Sequence, residues 1–162
     1  MIKRRILLAA APILALAAAG AGYAGPAPAQ PAYRLSLRAM LFYSDKGTFS
    51  RDILARPVTL WNTPIGEGGS GGASNATLVV VDVRGEGGSY VPERKVQLTV
   101  TRNGRTVFQR AEEPGVLNSS GHTYVGFWLY GTGCDRLRLS ARIQGQQPST
   151  PVTATIPFDC GE

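Results

Sequence analysis

The sequence predicts an all-β protein, a single antiparallel β-sandwich of about seven or eight strands that follows an N-terminal export signal. Three observations lead to this fold class. Segments in which apolar and polar residues alternate recur along the chain after residue 32, and a period of two is typical of half-buried strands. Turn-forming residues separate those segments at short intervals. Helical periodicity is nearly absent after the signal.

The export signal is predicted at residues 1–29. Lys3, Arg4 and Arg5 precede the apolar run 6–19, whose length of about fourteen residues suits a signal peptide and falls short of the roughly 20 that span a bilayer. Small residues favour cleavage after Ala24 or Ala29. The domain is then residues 30–162, exported to the periplasm or the extracellular space and meeting a membrane only during export. An uncleaved membrane anchor is the alternative.

The charge of the exported chain argues against nucleic acid as a partner. The sequence has 17 basic and 11 acidic residues, and removal of the three basic signal residues leaves 14 against 11, a net charge of +3. A nucleic-acid-binding domain needs a concentrated basic face, and an exported protein rarely meets nucleic acid. We therefore expect no nucleic-acid partner.

The two cysteines, Cys134 and Cys160, predict one disulfide, because an even number of thiols is typical of disulfide-bonded exported chains. Closing a loop of about 26 residues would stabilise the fold by roughly 3.5 kcal/mol in the chain-entropy model. Two free thiols or part of a metal site are the alternatives. With His122 as the single histidine and no CxxC motif, we expect no metal and no cofactor.

The first predicted strand begins at Tyr33, has its apolar residues at odd positions and continues to Tyr43, before a turn at 44–47. A hairpin is predicted around Asn103-Gly104, since both central residues of a type I′ turn need a positive φ. The other predicted strands are 57–62, 78–83, 96–101, 106–108, 123–130, 137–143 and 152–158.

The last two of these strands also predict a register. If Leu137 faces Phe158 and Leu139 faces Ile156, every apolar residue meets an apolar partner. A shift by one residue would set Leu139 against Thr155 and waste the apolar face.

The segment Gly121-His122-Thr123-Tyr124, which precedes an apolar strand, resembles the tyrosine corner of immunoglobulin-like domains. The resemblance covers four residues, and Gly126 stands where the second cysteine of the inter-sheet pair is expected. It implies an immunoglobulin-like architecture in which the Tyr124 phenol ties a loop to the backbone.

No motif predicts catalysis. The run GEGGSGG at residues 66–72 lacks the following Lys of a phosphate-binding loop, no helix pattern follows it, and Glu67 would repel an anion. We interpret it as a loop. There is no GxSxG motif, and the adjacent carboxylates Glu112 and Glu113 would point apart in an extended chain. We expect a protein with no catalytic residues.

Two side-chain sets are candidate binding surfaces. Tyr124, Trp128 and Tyr130 share one face of a predicted strand; packing within the sheet is the favoured interpretation, and an exposed platform for a ligand ring or sugar is the alternative. The second set comprises five arginines on two predicted strands: Arg34, Arg38, Arg136, Arg138 and Arg142.

If the arginine-bearing faces adjoin, their guanidiniums could grip carboxylates or phosphates. If not, they are solvated faces that keep sheet edges from aggregating. Our hypothesis is a non-catalytic domain that binds an envelope or extracellular protein through an edge strand or this basic face. The alternative is a small-ligand or glycan-binding module that uses the aromatic face.

Overall fold

The structure is a computed structural model that describes residues 32–55, 60–61, 74, 76–131 and 135–159. The predicted signal peptide, the glycine run at 66–72, and Cys134 and Cys160 lie outside these ranges. The disulfide and the cleavage site therefore stay predictions.

The described residues form strands and loops, with no helix, so none of them makes a helix that could cross a membrane. Two four-stranded antiparallel sheets have the orders β2-β1-β4-β7 and β6-β5-β8-β9, and β3 and β10 form a short parallel pair. This confirms an all-β fold of the sandwich kind. The strands are β1 Arg34–Tyr43, β2 Thr48–Phe49, β3 Leu60–Trp61, β4 Ala76–Arg84, β5 Lys95–Arg102, β6 Arg105–Glu112, β7 His122–Tyr130, β8 Leu137–Gln144, β9 Val152–Ile156 and β10 Phe158–Asp159.

The core lies between the two four-stranded sheets and consists of alternate residues of each strand. From the first sheet it takes the odd-numbered residues of β4 and β7, such as Val81 and Phe127, and from the second it takes residues such as Leu98 and Leu139. Each such side chain contributes about 1.5–3 kcal/mol on burial. The even-numbered residues of β1, β4 and β7 consequently point away from the core.

The hairpin predicted at Asn103-Gly104 is confirmed. It joins β5 to β6, with φ of 49° at Asn103 and 76° at Gly104. Both values lie in the left-handed region that a type I′ turn requires.

The predicted register of the last two long strands is wrong by two residues. Leu137 pairs with Ile156, Leu139 with Ala154 and Ala141 with Val152. A two-residue shift leaves every side chain on the same face, so the apolar pattern cannot exclude it. Pro157 has no N–H to donate, and the ladder ends before it; Phe158, in β10, pairs with Leu60 of β3 instead.

Two loops at one end of the sandwich lock together and fix where β7 begins. Gly85 donates its N–H to the carbonyl of Gly121 at 2.9 Å, and Gly121 has a φ of +77°. A Cβ at Gly121 would overlap the Gly85 carbonyl oxygen. The Asn118 side-chain oxygen accepts the N–H of His122 at 2.9 Å, and this bond holds the first residue of β7 in place.

Candidate functional site

The candidate site is the outer face of the first sheet, defined as the side of β1, β2, β4 and β7 that points away from the core. The strand registers place its residues in five rows across β1, β4 and β7. These rows are Arg34-Arg84-His122, Ser36-Asp82-Tyr124, Arg38-Val80-Gly126, Met40-Leu78-Trp128 and Phe42-Ala76-Tyr130, with Phe49 of β2 beside Phe42.

One end of this face, which we name the aromatic end, consists of Phe42, Phe49, Trp128 and Tyr130. The Phe42 ring centroid is 5.3 Å from that of Phe49 and 5.6 Å from that of Trp128. Trp128 and Tyr130 are 6.1 Å apart, with ring planes only 14° from parallel. Phe49, Trp128 and Tyr130 are nevertheless 45%, 38% and 73% exposed, so the rings support one another while facing solvent.

The exposed large hydrophobic side chains are concentrated on this one surface. Of the seven among the described residues, four belong to the outer face: Phe49, Tyr124, Trp128 and Tyr130. Large apolar groups scattered singly are ordinary on a protein surface, whereas a large contiguous patch is typical of interaction sites. Tyr124, Trp128 and Tyr130 therefore lie partly in solvent, as in the alternative interpretation of the sequence and not as in the favoured one of packing within the sheet. The aromatic surface extends onto β1 and β2 through Phe42 and Phe49.

Between the two ends, Arg38 lies with its guanidinium carbon 5.2 Å from the centroid of the Tyr124 ring. This is a cation–π contact, which contributes about 0.5–1 kcal/mol at an exposed position. Tyr124 does not act as a tyrosine corner: its side chain lies on the outer face, and the described residues provide no hydrogen bond to its hydroxyl. Thr123 ties this part of β7 to the preceding loop instead, through a 3.1 Å hydrogen bond to the carbonyl of Pro114.

The other end, which we name the polar end, is built around the carboxylate of Asp82. Its side chain is only 6% exposed, although it lies on the outer face. Arg84 donates to Oδ2 from both Nε and Nη2 at 2.8 Å. His122 Nδ1 lies 3.3 Å from Oδ1, and the Ser36 hydroxyl lies 3.4 Å from Oδ2.

These contacts decide the charge state of Asp82. Burial raises the pKa of its carboxyl, but the hydrogen bonds and positive charges of Arg84 and His122 outweigh burial and hold that pKa below its ordinary value. Asp82 is therefore an anion at neutral pH. This cluster was not predicted from the sequence, although a charged residue inside the apolar stretch Leu78–Val83 is a signal for it.

The polar end does not have the geometry of a hydrolase triad. In a triad the imidazole lies between the carboxylate and the hydroxyl, whereas here the carboxylate lies between Ser36 and His122. In the part of the chain that the structure describes, no group of three His, Cys, Asp or Glu side chains could hold a metal ion. The arrangement instead orients charged groups at the rim of an apolar surface.

The five sequence-predicted arginines do not come together. Arg34 and Arg38 of β1 lie on the outer face of the first sheet, whereas Arg138 and Arg142 of β8 lie on the outer face of the second. Arg136 immediately precedes β8 and is also exposed. Because the sheets pack core to core, the two groups point in opposite directions. Arg84, which was not among the sequence-predicted arginines, joins Arg34 and Arg38 on the first sheet.

The strand β7 forms one edge of the first sheet. Among the described residues, it pairs with β4 on one side and with no strand on the other. It has no Lys, Arg, Asp, Glu or Pro, the residue types with which proteins usually protect an edge. A crevice of about 160 Å³ opens beside it between the sheets, lined by Val107, Phe108, Leu129 and Tyr130 among others.

No protein-family model matches this chain, and no curated protein matches it either.

Proposed function

We propose that the chain is an exported, non-catalytic module that binds an envelope or extracellular protein through the outer face of its first sheet. The observation that carries the proposal is the contiguous group of exposed aromatic rings at the aromatic end. Burial of such rings in a partner's pocket is the usual source of binding energy in protein interfaces.

The composition of the rest of this face supports a protein partner. Besides its aromatic residues it presents Met40 and three arginines, and its described positions include no Lys and no Glu. Protein interfaces are enriched in aromatic residues, Met and Arg and depleted in Lys, Glu and Asp. Asp82 is the one acid of the face, and it is buried and already paired with Arg84.

We also infer that the sandwich is of the immunoglobulin-like type. Without the two-residue strands, β1, β4 and β7 take the places of strands A, B and E in one sheet, and β5, β8 and β9 those of C, F and G in the other. The remaining strand, β6, pairs with β5 and not with β7, which is a switch of one strand between the sheets. This likeness concerns architecture, and function is argued from the site.

A glycan is the second candidate ligand, and one observation favours it. The rings of Trp128 and Tyr130 are nearly parallel and exposed, so together they offer an apolar surface to the face of a sugar ring. The neighbouring guanidinium of Arg38 could donate hydrogen bonds to hydroxyl groups.

The test is capture of partners from envelope extract by the exported protein, with two matched variants. One variant, Trp128→Ser/Tyr130→Ser, removes rings from the first sheet. The control, Arg136→Ser/Arg138→Ser/Arg142→Ser, changes the outer face of the second sheet. We expect a specific protein to be retained by the wild type and the control and lost by the aromatic variant.

The other outcomes are also informative. Loss with the arginine variant alone would refute the proposal and move the site to the second sheet. An empty capture, together with a change of tryptophan fluorescence on addition of sugars that Trp128→Phe abolishes, would favour the glycan.

A further inference from the structure

We propose that two copies of this chain pair through β7, antiparallel and about a twofold axis at Gly126, so that their outer faces form one continuous surface. The inference goes beyond the proposed function, because the second copy extends the binding face and is not the partner that the face binds. A second copy is the occupant that the sequence of β7 itself favours, for three reasons.

The first reason is the self-complementarity of the strand. β7 has nine residues, and pairing His122 with Tyr130 of the second copy overlaps all nine. Tyr124 then faces Trp128 of the second copy, Gly126 faces itself, and Val125 faces Phe127 on the core side. Every outward residue meets an outward residue, and cross-strand aromatic pairs are among the favourable ones in sheets.

The second reason is charge. Since β7 has no Lys, Arg, Asp or Glu, this pairing brings no like charges into opposition. Because His122 of one copy pairs with Tyr130 of the other, the basic row Arg34-Arg84-His122 of one copy lies beside the apolar row Phe42-Ala76-Tyr130 of the other. The two basic regions are therefore kept apart.

The long edge strand of the second sheet, β6, differs from β7 in this respect. It has the charged residues Arg105, Arg110 and Glu112, which protect such an edge from pairing.

The third reason is the area available, which also sets the expected strength. With about 200 Å² for each aromatic side chain, the exposed fractions of Tyr124, Trp128 and Tyr130, which are 56%, 38% and 73%, amount to roughly 330 Å² per copy, of which the pairing buries only the part that faces the second copy. Stable protein interfaces bury about 800 Å² per partner. The backbone of the β7 edge and the adjoining crevice would add buried area, but not enough to reach that of a stable interface. The dimer should therefore be weak and should dissociate on dilution.

The experiment is analytical sedimentation of the exported protein over a range of concentrations. It includes two variants at Tyr124 and Trp128, the residues that the proposed register sets opposite each other. In Tyr124→Lys/Trp128→Lys, the proposed pairing sets lysine against lysine twice. In Tyr124→Lys/Trp128→Glu, the same pairing sets lysine against glutamate twice. Both variants remove the same two exposed rings from each copy, and thermal melting checks that both remain folded.

We expect the average mass of the wild type to rise with concentration toward twice the monomer. The lysine–lysine variant should remain monomeric, and the lysine–glutamate variant should recover the dimer, in a form that salt weakens. A wild type that stays monomeric at every concentration would overturn the proposal, and so would two variants that associate equally. A monomer that still captures its partner would leave the proposed function intact, so the two failures can be told apart.

Discussion

Replacement of Asp82 by Asn tests whether the polar end stabilises the protein. The substitution keeps the shape of the side chain and removes its negative charge. It leaves the Arg84 guanidinium without its carboxylate partner. One of the two oxygen atoms that contact Ser36 and His122 becomes an NH₂ group, which donates hydrogen bonds and cannot accept them. Because Asp82 lies on the central strand β4, with β1 and β7 on either side, the change is felt by three strands at once.

The magnitude follows from the exposure of the partners. A hydrogen bond to a charged group contributes about 1.5–3 kcal/mol when it is shielded. Arg84 is 59% exposed, so water replaces much of what it loses, and its share approaches the 0–1 kcal/mol or so of a surface pair. The contacts to His122 and Ser36 are long but better shielded. We therefore expect Asp82→Asn to lower the free energy of unfolding by about 2 kcal/mol and Tm by about 8 °C in a domain of this size.

Urea denaturation at neutral pH, followed by circular dichroism, measures this loss of stability. The same experiment at lower pH tests whether the loss comes from the negative charge of Asp82. Since the folded-state pKa of Asp82 is lowered, its contribution is fully present above the unfolded-state value of about 3.9 and is lost as the pH falls through the folded-state pKa. The difference between wild type and variant should therefore be constant near neutrality and shrink in acid. Equal denaturation midpoints at neutral pH would refute the reasoning, as would a difference that persists unchanged in acid.

Three further predictions concern the frame that holds the site. Gly104→Ala and Gly121→Ala both place a side chain at positive φ, but only the methyl group at position 121 would meet a backbone oxygen. Thermal melting should show a loss of stability of about 1 kcal/mol for Gly104→Ala and at least twice that for Gly121→Ala. The reverse order would contradict the contact between the two loops. Phe127→Ala should cost about 3–5 kcal/mol in urea denaturation, because the ring is buried and packs edge-on against Phe108; a loss below 1 kcal/mol or so would mean that the core collapses around the gap. If Cys134 and Cys160 are bonded, the oxidised protein should take up no thiol label before reduction, and reduction should cost roughly 3.5 kcal/mol; two labels before reduction would exclude the bond.

The sequence was sufficient to predict the hairpin and the seven longer strands of the described residues, but not the two-residue strand β2, and not how the strands meet. Alternation in β1, β7 and β8 predicted correctly which residues point into the core, since side-chain direction is a local property with period two. The β8–β9 register was wrong because a shift of two residues preserves that alternation. The term that decides between the two registers, the end of the ladder before Pro157, is not part of an apolar pattern.

The candidate site was harder to predict, because it depends on which strands become neighbours. Arg38 and Arg138 both point outward from their strands, as predicted, but nothing local indicates that the strands belong to different sheets. The exposure of Trp128 likewise depends on the absence of a further layer over the first sheet among the described residues. Asp82 finds Ser36 and His122 at sequence separations of 46 and 40 residues, beyond the reach of spacing arguments.

The strand order also determines when, during folding, the outer face comes into existence. Sheet two includes two hairpins of neighbouring strands, β5–β6 and β8–β9, which close short segments of chain. In the first sheet, β4 pairs with β7, and the whole β5–β6 hairpin lies between these two strands in the chain. Pairing them closes a longer loop, which costs more chain entropy. We therefore expect Phe42 and Trp128 to come together late in folding, so that the outer face forms only when folding is nearly complete. If the outer face binds a partner as proposed, binding would report that the chain has completed its fold.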